Sequence, residues 1–183
     1  MRIISGFLKS RKLKGYNLTG TRPTMDKVRE SVFSIIQGNV KDSIVLDLFA
    51  GSGSLGIEAI SNGATIVYFV DKNLSAVKVI KSNIKTLDIE DKSVVMLRDY
   101  KSALKCFKKE KIKFDLIFLD PPYDLDVIEH TLKFIDENSI ISDSGQVICE
   151  FEKDHLLEQY GDLKCIKSRK YGNKNIKIYQ ITK

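Results

Sequence analysis

No stretch of this 183-residue chain approaches the roughly 20 consecutive apolar residues that a membrane helix needs. The opening Met1-Arg2-Ile3-Ile4-Ser5-Gly6 lacks the apolar core of a secretory signal. Cysteine is scarce: Cys106, Cys149 and Cys165 form no C-x-x-C pair and are odd in number, which argues against a disulfide framework and against a cysteine zinc site. The two histidines, His130 and His155, lie far in sequence from the motifs below, so no metal centre is expected. What remains is the expectation of a cytoplasmic protein with reduced thiols. At this length it is read as one domain with a sizeable core, with no internal repeat, low-complexity linker or second domain.

Charge is unevenly spread. Residues 1–29 carry eight Lys or Arg against one acid, Asp26, and residues 164–183 carry seven basic residues and no acid. The body between them holds 15 basic and 23 acidic residues, although the whole chain is +6. Basic ends around an acidic body suit a phosphate backbone.

Prolines number three, and two of them are adjacent, in Leu119-Asp120-Pro121-Pro122-Tyr123. They follow Phe114-Asp-Leu-Ile-Phe118, an apolar run of the kind that forms a buried parallel strand. A proline pair cannot continue a central strand and sets a stiff extended turn. An acid and an aromatic ring are thereby held at the carboxyl end of a strand, where open α/β sheets bind ligands. An acceptor beside a flat ring suits a planar base bearing an amino group.

Taken in order, residues 2–16 read as a basic β-hairpin or arm, with Gly6 and Gly15 as punctuation and residues 9–12 exposed. In Thr21-Arg22-Pro23-Thr24, Thr24 is a candidate N-cap for a helix whose apolar face carries Val28, Val32, Ile35 and Ile36. Arg22 is then fixed just before a helix start, where it either reaches a phosphate or pairs with Asp26 or Glu30. Strands at 44–48, 66–70, 93–97, 114–119 and 146–149 alternate with helices at 54–61, 74–87, 101–109 and 127–135. That alternation predicts a parallel sheet wrapped by helices on both faces. Residues 163–168 and 176–181 flank Tyr171-Gly-Asn173 and read as an antiparallel hairpin at the sheet edge.

Gly51, Gly53 and Gly56 satisfy G-x-G-x-x-G between the first strand and its helix. Asp47 lies four residues before the first glycine, where its carboxylate would repel a pyrophosphate and attract a ligand bearing an ammonium and a sulfonium. The glycines would then let backbone approach the methionine part of S-adenosylmethionine. Asp71, 20 residues after Gly51, ends the next strand and suits ribose hydroxyls. Asp99, beside Tyr100, follows the third strand and suits an adenine amino group. With Asp120, four successive strands end in an acid. The candidate donor-binding set is Asp47, Phe49, Ala50, Gly51, Ser52, Gly53, Asp71, Lys72, Asp99 and Tyr100. Glu58, inside the first helix after the loop, either supports the site or faces solvent.

These motifs resemble the class I S-adenosylmethionine-dependent methyltransferases with an Asp/Asn-Pro-Pro-Tyr/Phe motif, and more closely the RsmD family, which methylates guanine N2 in 16S ribosomal RNA of the small subunit. The resemblance covers nearly the whole length. It rests on Arg2-Ile-Ile-Ser-Gly6, Arg22-Pro-Thr-Met-Asp-Lys-Val-Arg-Glu30, Leu46-Asp-Leu-Phe-Ala-Gly-Ser-Gly-Ser-Leu-Gly-Ile-Glu-Ala59 and Leu119-Asp-Pro-Pro-Tyr123. It implies a Rossmann-like α/β fold with a mostly parallel seven-stranded sheet and a reversed last strand. It further implies S-adenosylmethionine as donor, S-adenosylhomocysteine as product, and 16S rRNA or a small-subunit particle as partner. A monomer with no membrane partner is expected. Residues 1–23 form the RNA-contacting arm and 24–183 the donor-binding catalytic core.

In that reading Asp120 and a carbonyl of the Pro121-Pro122 turn orient the amine towards the methyl, and Tyr123 stacks on the unpaired base. Arg2, Arg11, Lys12, Lys14, Arg22 and Thr24 contact RNA. Three other readings compete. DNA adenine-N6 or cytosine-N4 methylation fits the proline motif, but a chain of this length leaves little room for a separate target-recognition domain. A nicotinamide oxidoreductase gives Asp47 and the proline motif no role. A non-catalytic RNA-binding or ribosome-assembly factor would share the basic ends but need keep neither the glycine loop nor Asp120.

Overall fold

The computed structural model describes residues 1–15, 24–121, 125–153 and 156–182, with the side chains of 24, 25 and 125 left aside. Its strands are β1 (Ile44–Asp47), β2 (Ile66–Asp71), β3 (Ser93–Leu97), β4 (Phe114–Leu119), β5 (Ile141–Phe151), β6 (Gln159–Tyr160), β7 (Leu163–Tyr171) and β8 (Lys174–Ile181). Its helices are α1 (Thr24–Ile36), α2 (Ser54–Ser61), α3 (Leu74–Leu87), α4 (Tyr100–Glu110) and α5 (Leu125–Asn138). The sheet order is β3-β2-β1-β4-β5-β8-β7-β6, with β1 to β5 parallel and β8 antiparallel to β5.

The parallel strands are apolar because both of their faces are covered. Val45, Phe69, Leu116, Phe118 and Ile148 face a core built with α1, α2 and α3, and Phe33 of α1 packs on Phe118 with ring centres 5.7 Å apart. Leu46, Val70, Ile117, Leu119 and Val147 face a second core built with α4 and α5. Helix ends follow local chemistry: Asn73 caps α3 by accepting from the Ser75 N–H, and α3 ends at Asp88 in the left-handed conformation.

The alternation, the parallel sheet and the terminal hairpin match the sequence reading, while several details differ. Among the described residues the sheet has eight strands rather than seven, because the two-residue β6 adds to the edge. The terminal hairpin is β7–β8, and β8 is its inner strand, paired with β5. β5 is longer than expected, starting at Ile141. Helix α1 includes Thr24 as its first residue, where a cap before the helix was expected.

The N-terminal segment, expected as a β-hairpin or arm, closes on itself without forming a regular two-stranded ladder. A single antiparallel bridge joins Arg2 to Lys12. Ile3 N–H donates to Arg11 O, Ser10 N–H to Ile3 O and Leu13 N–H to Met1 O, and beyond these bonds side chains of the protein body take the backbone groups that would extend a ladder. Glu58 accepts from the N–H groups of Ile4 and Ser5, Ser61 Oγ from Leu8, and Asn83 Oδ1 from Lys14. Gly6, at φ +76°, lies so close to Ser61 that a Cβ there would overlap its carbonyl. Ile3, Leu8 and Leu13 are buried in the first core, so the segment is a packed loop that displays its basic residues outward.

Candidate functional site

Strand β1 lies between β2 and β4, so the chain leaves it towards β2 and α2 on one side while β4 flanks it on the other. Their carboxyl ends open the crevice in which this sheet type binds ligands. Asp47 ends β1, Asp71 ends β2, Asp99 follows β3 and Asp120 follows β4, so the four acids stand along one rim.

Each acid is held differently. Asp47 is buried, and its Oδ2 accepts from the Gly56 N–H at 3.0 Å. Burial pushes its carboxyl up to about 7 against the pull of that hydrogen bond, with Asp71 adding a further rise. The Asp71 carboxylate is half-buried and accepts from Gly51 N at 2.9 Å and Asn73 N at 2.8 Å, tying β2 to the glycine loop. Asp99 is exposed and caps α4 by accepting from Ser102 N at 3.0 Å, and the hydrogen bonds from Ser102 hold its carboxyl below the usual range. Asp120 is half-buried, and burial, reinforced by the Glu150 carboxylate and offset by Lys174, pushes it up to about 8.

The glycines divide their work. Gly51 takes φ +54°, and a Cβ built on it meets nothing within 4 Å, so the loop faces open space there. A Cβ on Gly56 would stand 2.3 Å from Phe69 Cε1, so that glycine permits α2 to lie against β2. Ala50 N donates to Val70 O at 3.0 Å and is buried, which fixes the start of the loop. Ser52 O accepts from the Asn83 amide at 3.1 Å. Phe49 and Tyr100 are half-buried ring partners with centres 5.6 Å apart, and His130 stands edge-on to Tyr100 at 5.9 Å. His130, distant in sequence, is thus a neighbour of the rim. Lys72 is exposed beside Asp71.

Pro121 is buried directly after Asp120. Pro122, Tyr123 and Arg22 lie outside the described residues, as does the side chain of Thr24. The exposed Arg2, Arg11, Lys12 and Lys14 sit on the packed N-terminal loop. Arg11 donates to Thr86 O at the end of α3, and Lys14 Nζ to Ser82 Oγ. The loop runs over the C-terminal ends of α2 and α3, whereas the acid rim lies at their N-terminal ends. Asn83 joins the two regions: buried in α3, it bonds the N–H and the carbonyl of Lys14 as well as Ser52 O.

Sequence reasoning left Asn83 and Glu150 without a role and counted Lys174 only among the basic residues of the C-terminal end. No motif marks them, because their placement depends on helix packing and strand order. Glu58 does not face solvent but anchors the N-terminal loop. Among the described residues no helix is long and apolar enough to cross a membrane, and no His, Cys, Asp and Glu cluster is arranged for a metal.

Comparison with known proteins places this site in context. A family described as conserved hypothetical protein 95 matches residues 1–180. The Bacillus subtilis protein YlbH, described as a candidate rRNA methyltransferase, is 41% identical over 98% of this chain and 98% of its own. Ribosomal RNA small subunit methyltransferase D of Haemophilus influenzae is 32% identical over 98% of this chain and 93% of its own. Among solved structures, an Escherichia coli protein described as a candidate methyltransferase, yhhF, superposes with a TM-score of 0.86 at 25% identity, covering 99% of this chain and 97% of that one.

Proposed function

The chain belongs to the conserved hypothetical protein 95 family, the RsmD-type methyltransferases, and on that premise we propose that it methylates the exocyclic N2 amine of a guanine in 16S ribosomal RNA. The observation that carries the reading is Asp120, held half-buried directly after β4, beside the buried Asp47 and immediately before the buried Pro121.

The residues of the rim fit S-adenosylmethionine. Gly51 opens onto free space, Asp71 offers a carboxylate already fixed by two backbone N–H groups, and Phe49 with Tyr100 offers an aromatic surface. Asp71, with Lys72 beside it, holds the ribose hydroxyls; Asp99, Phe49 and Tyr100 hold the adenine. The backbone of Ala50, Gly51, Ser52 and Gly53 lies along the methionine part, and Asp47 supplies the negative end of the site. When bound, S-adenosylmethionine supplies a methyl group already activated on a sulfonium and leaves as S-adenosylhomocysteine.

The protein's own task is alignment of the acceptor. The Asp120 carboxylate accepts one N–H of the guanine amine and a carbonyl of the proline turn accepts the other, which points the nitrogen lone pair at the methyl. Asp120 also stabilises the positive charge that develops on nitrogen as the N–C bond forms and the S–C bond breaks, and it takes the proton the amine gives up. Tyr123 stacks on the extruded base. Arg2, Arg11, Lys12, Lys14, Arg22 and Thr24 hold RNA phosphates, which gives affinity without sequence choice.

The test is methyl transfer from labelled S-adenosylmethionine to small-subunit particles lacking the modification, matched naked RNA and duplex DNA, followed by mapping of the labelled base. Label on a guanine N2 of the RNA is the expected result. Label confined to DNA adenine or cytosine overturns the substrate, and donor binding without transfer to any of the three overturns the catalytic reading.

A further inference from the structure

Glu150 and Lys174 form an ion pair beside Asp120 that the methyl-transfer reading leaves unused. Glu150 is near the end of β5 and Lys174 begins β8, so the strand order β4-β5-β8 sets the three residues in the sequence Asp120, Glu150, Lys174. The register agrees with that order. Leu119 pairs with Cys149, which puts Asp120 and Glu150 at the same next step of adjacent parallel strands. Glu150 pairs with Ile176 across the antiparallel ladder, with Lys174 two residues before it and on the same face. Neighbouring strands lie about 4.8 Å apart. The Lys174 side chain leans back across that gap and brings Nζ within 3.1 Å of Glu150 Oε1. The pair is not sealed into the core: Glu150 is 15% exposed and Lys174 29%. A partly exposed pair of this kind contributes little to stability.

The row therefore presents an acceptor, an acceptor and a donor, in that order, at the mouth where the target base is held. The Watson–Crick edge of guanine presents the complement: N2–H, N1–H and the O6 oxygen. We propose that Glu150 and Lys174 select guanine, the Glu150 carboxylate accepting N1–H and the Lys174 ammonium donating to O6, while Asp120 takes N2–H. Adenine and cytosine also carry an exocyclic amine for Asp120. Next to it, however, each has a ring-nitrogen lone pair, which the Glu150 carboxylate repels. The row thus rejects both bases by the group adjacent to the one that reacts. This inference rests on the guanine-N2 reading and assigns its specificity to two residues.

The test uses the full-length enzyme and three RNAs that differ only at the mapped target: guanine, 2-aminopurine and 2,6-diaminopurine. All three bases carry the 2-amino group, and only guanine has N1–H and O6. Wild-type enzyme is expected to prefer guanine by roughly 100-fold or more in single-turnover rate, the scale of discrimination by a site built for a missing polar partner. Lys174→Met and Glu150→Gln are expected to lower the ratio of the guanine rate to the 2-aminopurine rate by about tenfold or more, any change in Asp120 ionisation acting on both bases alike. Lys174→Arg, which keeps a donor, restores most of it. Variants that slow every base equally, or that keep the full preference, overturn the inference and leave the guanine-N2 reading standing. Wild-type enzyme that transfers no methyl to the guanine RNA overturns both.

Discussion

The Arg29 Nε lies 3.5 Å from Glu58 Oε2 with side chains only 4% and 1% exposed, an ion pair between α1 and α2 inside the first core. Glu58 uses its remaining capacity on the N-terminal loop, accepting from Ile4 N, Ser5 N and Ser5 Oγ. Arg29 donates to the carbonyl of Arg2 and to Asp26. One clasp thus fixes a basic loop that has almost no ladder of its own. Glu58→Ala leaves the buried Arg29 guanidinium with only the exposed Asp26 as counter-ion and is expected to cost about 3 kcal/mol. Replacing both partners, Glu58→Leu with Arg29→Met, is expected to cost less than the single change. Urea unfolding measures both, and limited proteolysis within residues 1–15 reports whether the loop has come loose.

Asp120 makes a pH prediction with a definite sign. Its carboxyl is pushed up to about 8 by burial and by Glu150, offset by Lys174. Only the ionised form accepts an N–H on both oxygens. As pH rises the protonated fraction falls, so kcat/KM is expected to climb through about pH 8 and level above it. Glu150→Gln removes a raising neighbour and moves the midpoint down; Lys174→Met removes a lowering one and moves it up. Asp120→Asn is expected to lose roughly 100-fold or more in turnover with donor affinity intact. Midpoints that do not move in opposite directions would separate the profile from Asp120.

Asn83 is only 2% exposed and satisfies three backbone groups at once: Lys14 N, Lys14 O and Ser52 O. Asn83→Leu leaves all three without that partner, which is expected to cost about 2 kcal/mol or more. The effect is expected to appear in two places, as weaker donor binding through Ser52 and weaker RNA binding through Lys14. Calorimetry with S-adenosylhomocysteine and filter binding with RNA measure them separately. A variant that loses stability while keeping both affinities would confine Asn83 to packing.

These cases show which levels the sequence carries. The parallel strands are legible because burial on two faces writes continuous apolar runs such as Phe114–Leu119. The acid rim is legible because strand ends are fixed by the runs before them. The N-terminal segment closes on itself as its glycines and alternating apolar residues suggest, but the side chains that anchor it, Glu58, Ser61 and Asn83, lie more than 50 residues away in sequence and are not legible there. The pairing of Glu150 with Lys174 is invisible in the sequence for a related reason. Strand order, not sequence distance, sets them beside Asp120.

The basic loop makes a salt-dependence prediction. Arg11 and Lys12 are exposed on a loop whose backbone is held by the protein core, so their charges are presented at fixed positions. Arg11→Glu with Lys12→Glu is expected to weaken RNA binding. The slope of log affinity against log salt is expected to shrink in magnitude by about 1 for each phosphate that the variant no longer neutralises. Unchanged slope would remove this part of the loop from the RNA interface.

Gly51 and Gly56 belong to one motif but predict opposite phenotypes. Gly51→Ala puts a methyl into open space, at φ +54°, where the cost to folding is backbone strain of about 1 kcal/mol. The methyl would stand in the volume assigned to the methionine part of the donor, so donor affinity is expected to fall at least tenfold in a folded protein. Gly56→Ala puts its methyl 2.3 Å from Phe69 Cε1 and 2.8 Å from Val67 Cγ1, inside the first core. That overpacking is expected to cost about 1–3 kcal/mol or more, with donor affinity of the folded fraction changed far less. Thermal unfolding and donor titration on both variants separate the two outcomes. Were Gly51→Ala to bind S-adenosylhomocysteine as wild type does, the open face of the loop would not be where the donor lies, and the assignment of Asp71 to its ribose would fail with it.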